Sequence, residues 1–100
     1  RLRPGGGMSA RLSGLTIGAL MLTPPFDPDT TEYTATTTNA TNTVIATPKD
    51  EDATVTILNG GAPVENGTAA TWVDGANTLT ITVKNGTAQK VYSVNVTKST

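Results

Sequence analysis

Thr78-Leu79-Thr80-Ile81-Thr82-Val83-Lys84-Asn85-Gly86-Thr87-Ala88-Gln89-Lys90-Val91-Tyr92-Ser93-Val94-Asn95-Val96 decides the class of this chain. Asn-Gly between two alternating runs is a strong hairpin signal, because a type I′ turn needs positive φ at both central residues. A two-residue loop centred there sets Lys84 opposite Thr87, Val83 opposite Ala88, Ile81 opposite Lys90 and Leu79 opposite Tyr92. Leu79, Ile81, Val83, Tyr92, Val94 and Val96 then share one face, while Thr78, Thr80, Thr82, Ser93, Asn95 and Thr97 take the other. Both arms show the period-two pattern of a sheet with one buried side.

Moving outward, similar short runs recur between turn signals. Ala70 and Trp72 alternate into Asp74-Gly75, Val64 sits between two Asn/Gly turns, and Thr54 to Leu58 turns Val55 and Ile57 one way. Thr43 to Thr47 sets Val44 and Ala46 against Ile45 and stops at Pro48, and Tyr33, Ala35 and Thr37 alternate with threonines. Leu12, Leu15 and Ile17 read as strand pieces with a bend, since Gly14, Gly18 and Pro24-Pro25 argue against a helix. Phe26, where a turn leads into a strand, is expected to plug one end of the core. About seven short strands at regular spacing are the signature of an all-β sandwich.

One hundred residues suit one core. The apolar fraction is 36%, aromatic residues make up 4%, and threonine, a β-branched residue suited to half-solvated strands, supplies about a fifth. Formal net charge is -1 with 15% charged residues, so there is no basic footprint for nucleic acid or an anionic membrane surface. Without Cys or His, the chain lacks disulfides, thiolate nucleophiles and the usual neutral-pH base. No run approaches the length of a membrane span. Residues 1–10, rich in Gly and Pro, are expected to be a flexible linker or expression remnant, with the domain at residues 11–99. The lack of an initial Met suggests a piece of a longer polypeptide; alternatively, Met8 as a start would give a complete small chain suited to a virion.

The arrangement resembles the bacterial cadherin-like β-sandwich family, a branch of the Ig-like modules. Carrying the resemblance are Leu12, Leu15 and Ile17, Pro25-Phe26-Asp27-Pro28 with Thr31 and Tyr33, the Pro48 stop after Val44 and Ala46, Gly75 with Asn77, and Tyr92-Ser93-Val94-Asn95-Val96. The Asn85-Gly86 turn is shorter than the family's usual loop, and Trp72 stands where an aliphatic residue is usual. The resemblance implies an Ig-like (cadherin-like) Greek-key sandwich of antiparallel strands used as spacer, stalk or adhesion module. It implies no shared catalytic residues.

Candidate sites are few. Asp27 with Asp29, or Asp50 with Glu51 and Asp52, could offer oxygens to Ca²⁺, which wants six to eight in a shaped loop; turn capping and a solvated corner are the simpler roles. Trp72 with Tyr33 or Tyr92 could stack on a sugar, although their alternation places Trp72 and Tyr92 in the core. Asn39, Asn66, Asn85 and Asn95 begin N-glycosylation tripeptides, as chance allows in a chain so rich in Asn and Thr. No catalytic, cofactor or metal site is expected, and no side chain names a ligand. The expected role is a non-enzymatic module of a larger bacterial cell-surface or secreted protein, extracellular and monomeric in isolation. Its partners are neighbouring domains of the same polypeptide, with a surface polysaccharide or protein as a further one. A phage virion appendage and a carbohydrate-binding module are the alternatives.

Overall fold

A computed structural model describes residues 9–99. It realises the alternation as β1 (Leu12–Ile17), β2 (Glu32–Thr37), β3 (Thr41–Pro48), β4 (Thr54–Asn59), β5 (Ala62–Val64), β6 (Ala69–Thr71), β7 (Gly75–Asn85) and β8 (Ala88–Lys98). One sheet has the order β1-β3-β6 and the other β2-β8-β7-β4-β5. The count is therefore eight strands, and β7 and β8 are long, at 11 residues each. No helix forms among the described residues.

The β7–β8 hairpin keeps the expected inner face but not the expected turn. Asn85 pairs with Ala88, Ile81 with Tyr92 and Leu79 with Val94, so the loop residues are Gly86 and Thr87. Of these two, only Gly86 has positive φ, at 61°, and among the described residues no non-glycine residue does. Positive φ at the first loop residue alone fits a type II′ turn instead of type I′. Shifting both loop residues by one keeps the facing parity, and Leu79, Ile81, Val83, Tyr92, Val94 and Val96 are all fully buried.

A second departure concerns strand direction. β2 runs parallel to β8, from Glu32 beside Ser93 to Thr37 beside Lys98, so the sandwich is not wholly antiparallel. Parallel partners need a long crossover, and β3 to β7 lie between these two strands in the chain. In β1, the register shifts between Leu12 and Gly14. That bulge lets Leu12 and Leu15, three apart, both face inward, where they are 0% and 4% exposed.

The inner faces of both sheets meet in one aliphatic core around Trp72 and Tyr92. Each fully buried Val, Leu or Ile contributes roughly 1.5–3 kcal/mol to the folded state. Ala10 is buried in this core and the Ser9 carbonyl accepts a hydrogen bond from Asn85, so these two residues, expected in the linker, pack with the sandwich. The rest of the expected linker, residues 1–8, lies outside the described residues.

Exposed strand edges invite unwanted pairing, and this fold limits them. β6 covers only Thr41 to Thr43 of β3. Beyond it, Gly67 N–H donates to the Val44 carbonyl and Val44 N–H to the Thr68 carbonyl. The Asn66 side chain completes the row: Oδ1 accepts from Ala46 N–H at 2.9 Å and Nδ2 donates to the Ala46 carbonyl at 2.6 Å. A carboxamide, both donor and acceptor, here substitutes for a strand residue. Asn66→Ala should therefore cost about 1–2 kcal/mol in chemical denaturation, the usual range for stranding partly buried backbone groups. A loss no larger than that of an exposed surface substitution would show that water replaces the amide.

Candidate functional site

The most elaborate side-chain geometry is at the loop from Phe26 to Tyr33. Asp27 Oδ1 accepts from Asp29 N–H at 2.8 Å, and the Asp27 carbonyl accepts from Thr30 N–H at 3.0 Å, an Asx turn nested in a β-turn. Tyr33 Oη donates to the Asp27 carbonyl at 2.7 Å and accepts from Asp27 N–H at 3.0 Å. Phe26 stacks on the Tyr33 ring with centroids 6.1 Å apart, capping the core from a half-buried position. From the other side, Tyr92 Oη donates to the Pro28 carbonyl at 2.6 Å and accepts from Leu12 N–H at 3.0 Å. Two phenols thus fasten the loop and β1 to the sheet that contains β2 and β8.

Burial, which desolvates the phenolate, raises both tyrosines above their ordinary value of 10.0; backbone N–H bonds from Asp27 and Leu12 oppose the shift only in part. The folded chain therefore holds these protons more tightly than the unfolded chain. Their stabilisation is intact below pH 10.0 and declines as pH rises through the raised values. Melting temperature should accordingly fall above pH 10.0 in step with the appearance of phenolate absorbance. Phenolate absorbance that develops fully while the melting temperature stays constant would contradict the two hydrogen-bonded phenols.

The acidic residues are divided among local tasks. Asp27 caps its own turn, Asp29 pairs with Arg11 at 3.1 Å, and Asp50 Oδ1 accepts from Asp52 N–H at 3.0 Å. Asp50 Oδ2 accepts from Asn85 Nδ2 at 3.0 Å, while Glu51 and Asp52 are exposed. Among the described residues, no three acidic side chains are grouped to hold a metal ion.

The three aromatic residues considered for sugar stacking are interior. Tyr33, Trp72 and Tyr92 are 3%, 4% and 0% exposed, and Trp72 Nε1–H donates to Asn42 Oδ1 at 2.8 Å. Lys90 Nζ lies 5.9 Å from the Tyr92 ring centroid. No face of these rings is offered to a ligand. Of the four glycosylation tripeptides, Asn39, Asn66 and Asn95 are exposed and Asn85 is buried.

What sequence reading missed is a set of carboxamides that tie segments together. Asn59 Nδ2 donates to the Thr71 carbonyl at 2.8 Å, joining the two sheets. Asn77 makes four bonds, to Val73 N–H and to the carbonyls of Val73, Gly75 and Val96. The pairing of Gly75 with Asn77 was legible as a turn glycine followed by an Asn that bonds local backbone, but the Val96 contact lies 19 residues away. Two open grooves accompany these features. One, of about 600 Å³, lies between the edge strands β5 and β6 with uncharged lining that includes Asn59, Pro63, Thr71, Val73 and Asn77. The other, of about 470 Å³, is on the threonine face, lined by Glu32, Thr34, Thr78, Ser93 and Asn95. The first holds no charged side chain, and the second holds one, Glu32, on the position paired with Ser93.

Compared with known families, residues 12–99 match the cadherin-like beta sandwich domain. The chain belongs to this family. The match begins at the first residue of β1 and ends just past β8, so the bulged β1, the tyrosine-fastened loop and the long hairpin all fall inside it. A comparison with curated proteins finds no match. Cadherin-like sandwich domains are typically non-catalytic and usually extracellular or surface-exposed, which suggests a structural or adhesion-type module. Among the described residues, no helix is long and apolar enough to cross a membrane.

Proposed function

We propose that this cadherin-like domain is a non-enzymatic spacer or adhesion repeat of a larger bacterial cell-surface or secreted protein, holding its neighbours in line. The observation that carries this reading is the placement of Ser9 and Ser99, the first and last described residues. At one pole, beside the β7–β8 turn, the Ser9 carbonyl accepts from Asn85 Nδ2 at 3.2 Å. At the other, where Gly75 pairs with Lys98, Ser99 N–H donates to the Thr37 carbonyl at 2.9 Å. The 11 residues of β8 separate these poles by about 30 Å. A chain that enters at one pole and leaves at the other strings modules end to end, as a stalk requires.

The same topology suits tension. Force between Ser9 and Ser99 pulls β8 along its own axis past β2 and β7, so its hydrogen bonds share the load. Force between Thr38 and Ser99, at the C-terminal ends of the parallel pair β2 and β8, opens that pair one bond at a time. Single-molecule pulling should give a clearly higher unfolding force for the first attachment than for the second. Equal forces would remove the load-bearing reading. The sequence flanking the domain in its gene separates this role from a virion appendage: similar repeats or a wall anchor support the stalk, and a tail or capsid domain overturns it.

A further inference from the structure

Three Asn-Gly pairs occur in the chain, at Asn59-Gly60, Asn66-Gly67 and Asn85-Gly86. Such pairs age by deamidation. The glycine nitrogen attacks Asn Cγ, an N–C bond forms as the Cγ–Nδ2 bond breaks, and ammonia leaves; water then opens the cyclic imide to Asp or isoaspartate. The attacking nitrogen must be free to lose its proton. Gly60 N–H is engaged with the Thr78 carbonyl at 2.9 Å, and Gly67 N–H with the Val44 carbonyl at 2.7 Å. Gly86, at the exposed tip of the hairpin, has no such backbone acceptor among the described residues.

We propose that Asn85 is the deamidation site of this domain, gated by the contacts of its own side chain, and that its conversion releases the pole through which the chain enters. Asn85 is 7% exposed at the end of β7, and its Nδ2 is shared between the Ser9 carbonyl at 3.2 Å and Asp50 Oδ2 at 3.0 Å. While both acceptors hold that nitrogen, Cγ is kept from Gly86. When the incoming segment at Ser9 or the Asp50 corner lifts away, the carboxamide is free to turn and the reaction proceeds. The lesion is unidirectional in effect. It leaves a carboxylate where the donor stood, facing the Asp50 carboxylate and the Ser9 carbonyl, and like charges at this distance repel. The clamp cannot re-form.

The test is to age the intact chain at mildly alkaline pH and follow each asparagine by peptide mapping. Asn85 should convert before Asn59 and Asn66, and Asp50→Ala should accelerate Asn85 several-fold while leaving Asn59 unchanged. Asn85→Asp, which imitates the product, should lower the melting temperature at neutral pH and recover part of the loss when Asp50→Asn supplies a new donor. Prior conversion of Asn59 or Asn66 in the unmodified chain would overturn the assignment whether or not the variants fold. An Asn85 rate that Asp50→Ala leaves unmoved, or that follows only the globally unfolded fraction, would overturn the gate.

Discussion

Replacing Tyr92 by Phe should lower the melting temperature by roughly 10–25 °C, corresponding to about 2–3 kcal/mol for a domain of this size. The substitution keeps the ring that packs in the core and removes one oxygen. That oxygen accepts from Leu12 N–H and donates to the Pro28 carbonyl. Leu12 is 0% exposed, so its N–H would be left buried without a partner, and the full desolvation penalty would fall on the folded state. The Pro28 carbonyl is in a half-buried loop and can turn to water. Most of the loss should therefore come from the seat of β1. Tyr33→Phe is the comparison, because its oxygen bonds only the Asp27 backbone, on an exposed residue, and should cost about 1 kcal/mol or less. If thermal melts show the two variants equally mild, Tyr92 is not what fastens β1 to the opposite sheet.

The contrast between these two tyrosines shows what a sequence can and cannot disclose. Period-two alternation reports which face of a strand is buried, and it did so for Ile57, Ala70, Trp72 and both arms of the hairpin. It survives a displaced turn, because moving the loop from Asn85-Gly86 to Gly86-Thr87 changes every partner but leaves every face as it was. Alternation is also blind to strand direction, which is why the parallel pairing of β2 with β8 went unread. The bulge in β1 left a trace, two leucines three apart with a glycine between, that reads equally well as a bend. Phe26 and Tyr33 were legible as a loop motif, and their stack is local.

The carboxamides were hidden for a different reason. Asn and Gly mark turns in sequence, so Asn66 and Asn85 read as loop residues. Their bonding is set by segments 20 and 76 residues away, at Ala46 and Ser9. A donor-and-acceptor group so short can satisfy whatever backbone lies opposite, and the sequence does not show what lies opposite. The acidic residues make the same point: Asp27, Asp29 and Asp50 bond to backbone, arginine or asparagine in ways their spacing does not disclose. The described polar side chains are spent largely on joining segments distant in sequence.

Asn77 carries that economy furthest, and Asn77→Leu should cost about 3–4 kcal/mol, the sum expected from several buried bonds lost together. Its Nδ2 contacts the carbonyls of Val73, Gly75 and Val96 at 2.9, 3.1 and 3.1 Å, and its Oδ1 accepts from Val73 N–H at 2.9 Å. Leucine keeps the branched outline at greater bulk, so no cavity opens and the loss combines the missing bonds with some crowding. The bend from Trp72 to Gly75, with Gly75 at φ 95°, is also tied to β8 by the ion pair of Asp74 with Lys98 at 2.7 Å, but that carboxylate is solvent-exposed, whereas the Asn77 bonds are buried. Asn77→Asp separates the contributions. The carboxylate still accepts from Val73 N–H but faces three carbonyl oxygens in a site only 6% exposed, so its ionised form is disfavoured and its folded pKa lies above the unfolded value. Stability of Asn77→Asp should therefore rise as pH falls through that raised value and the carboxyl regains a donor proton, whereas Asn77→Leu should show no such recovery. Urea denaturation of both variants at neutral and mildly acidic pH reads the difference directly. Parallel pH profiles would mean that Asn77 fills space at this pole without clamping β8.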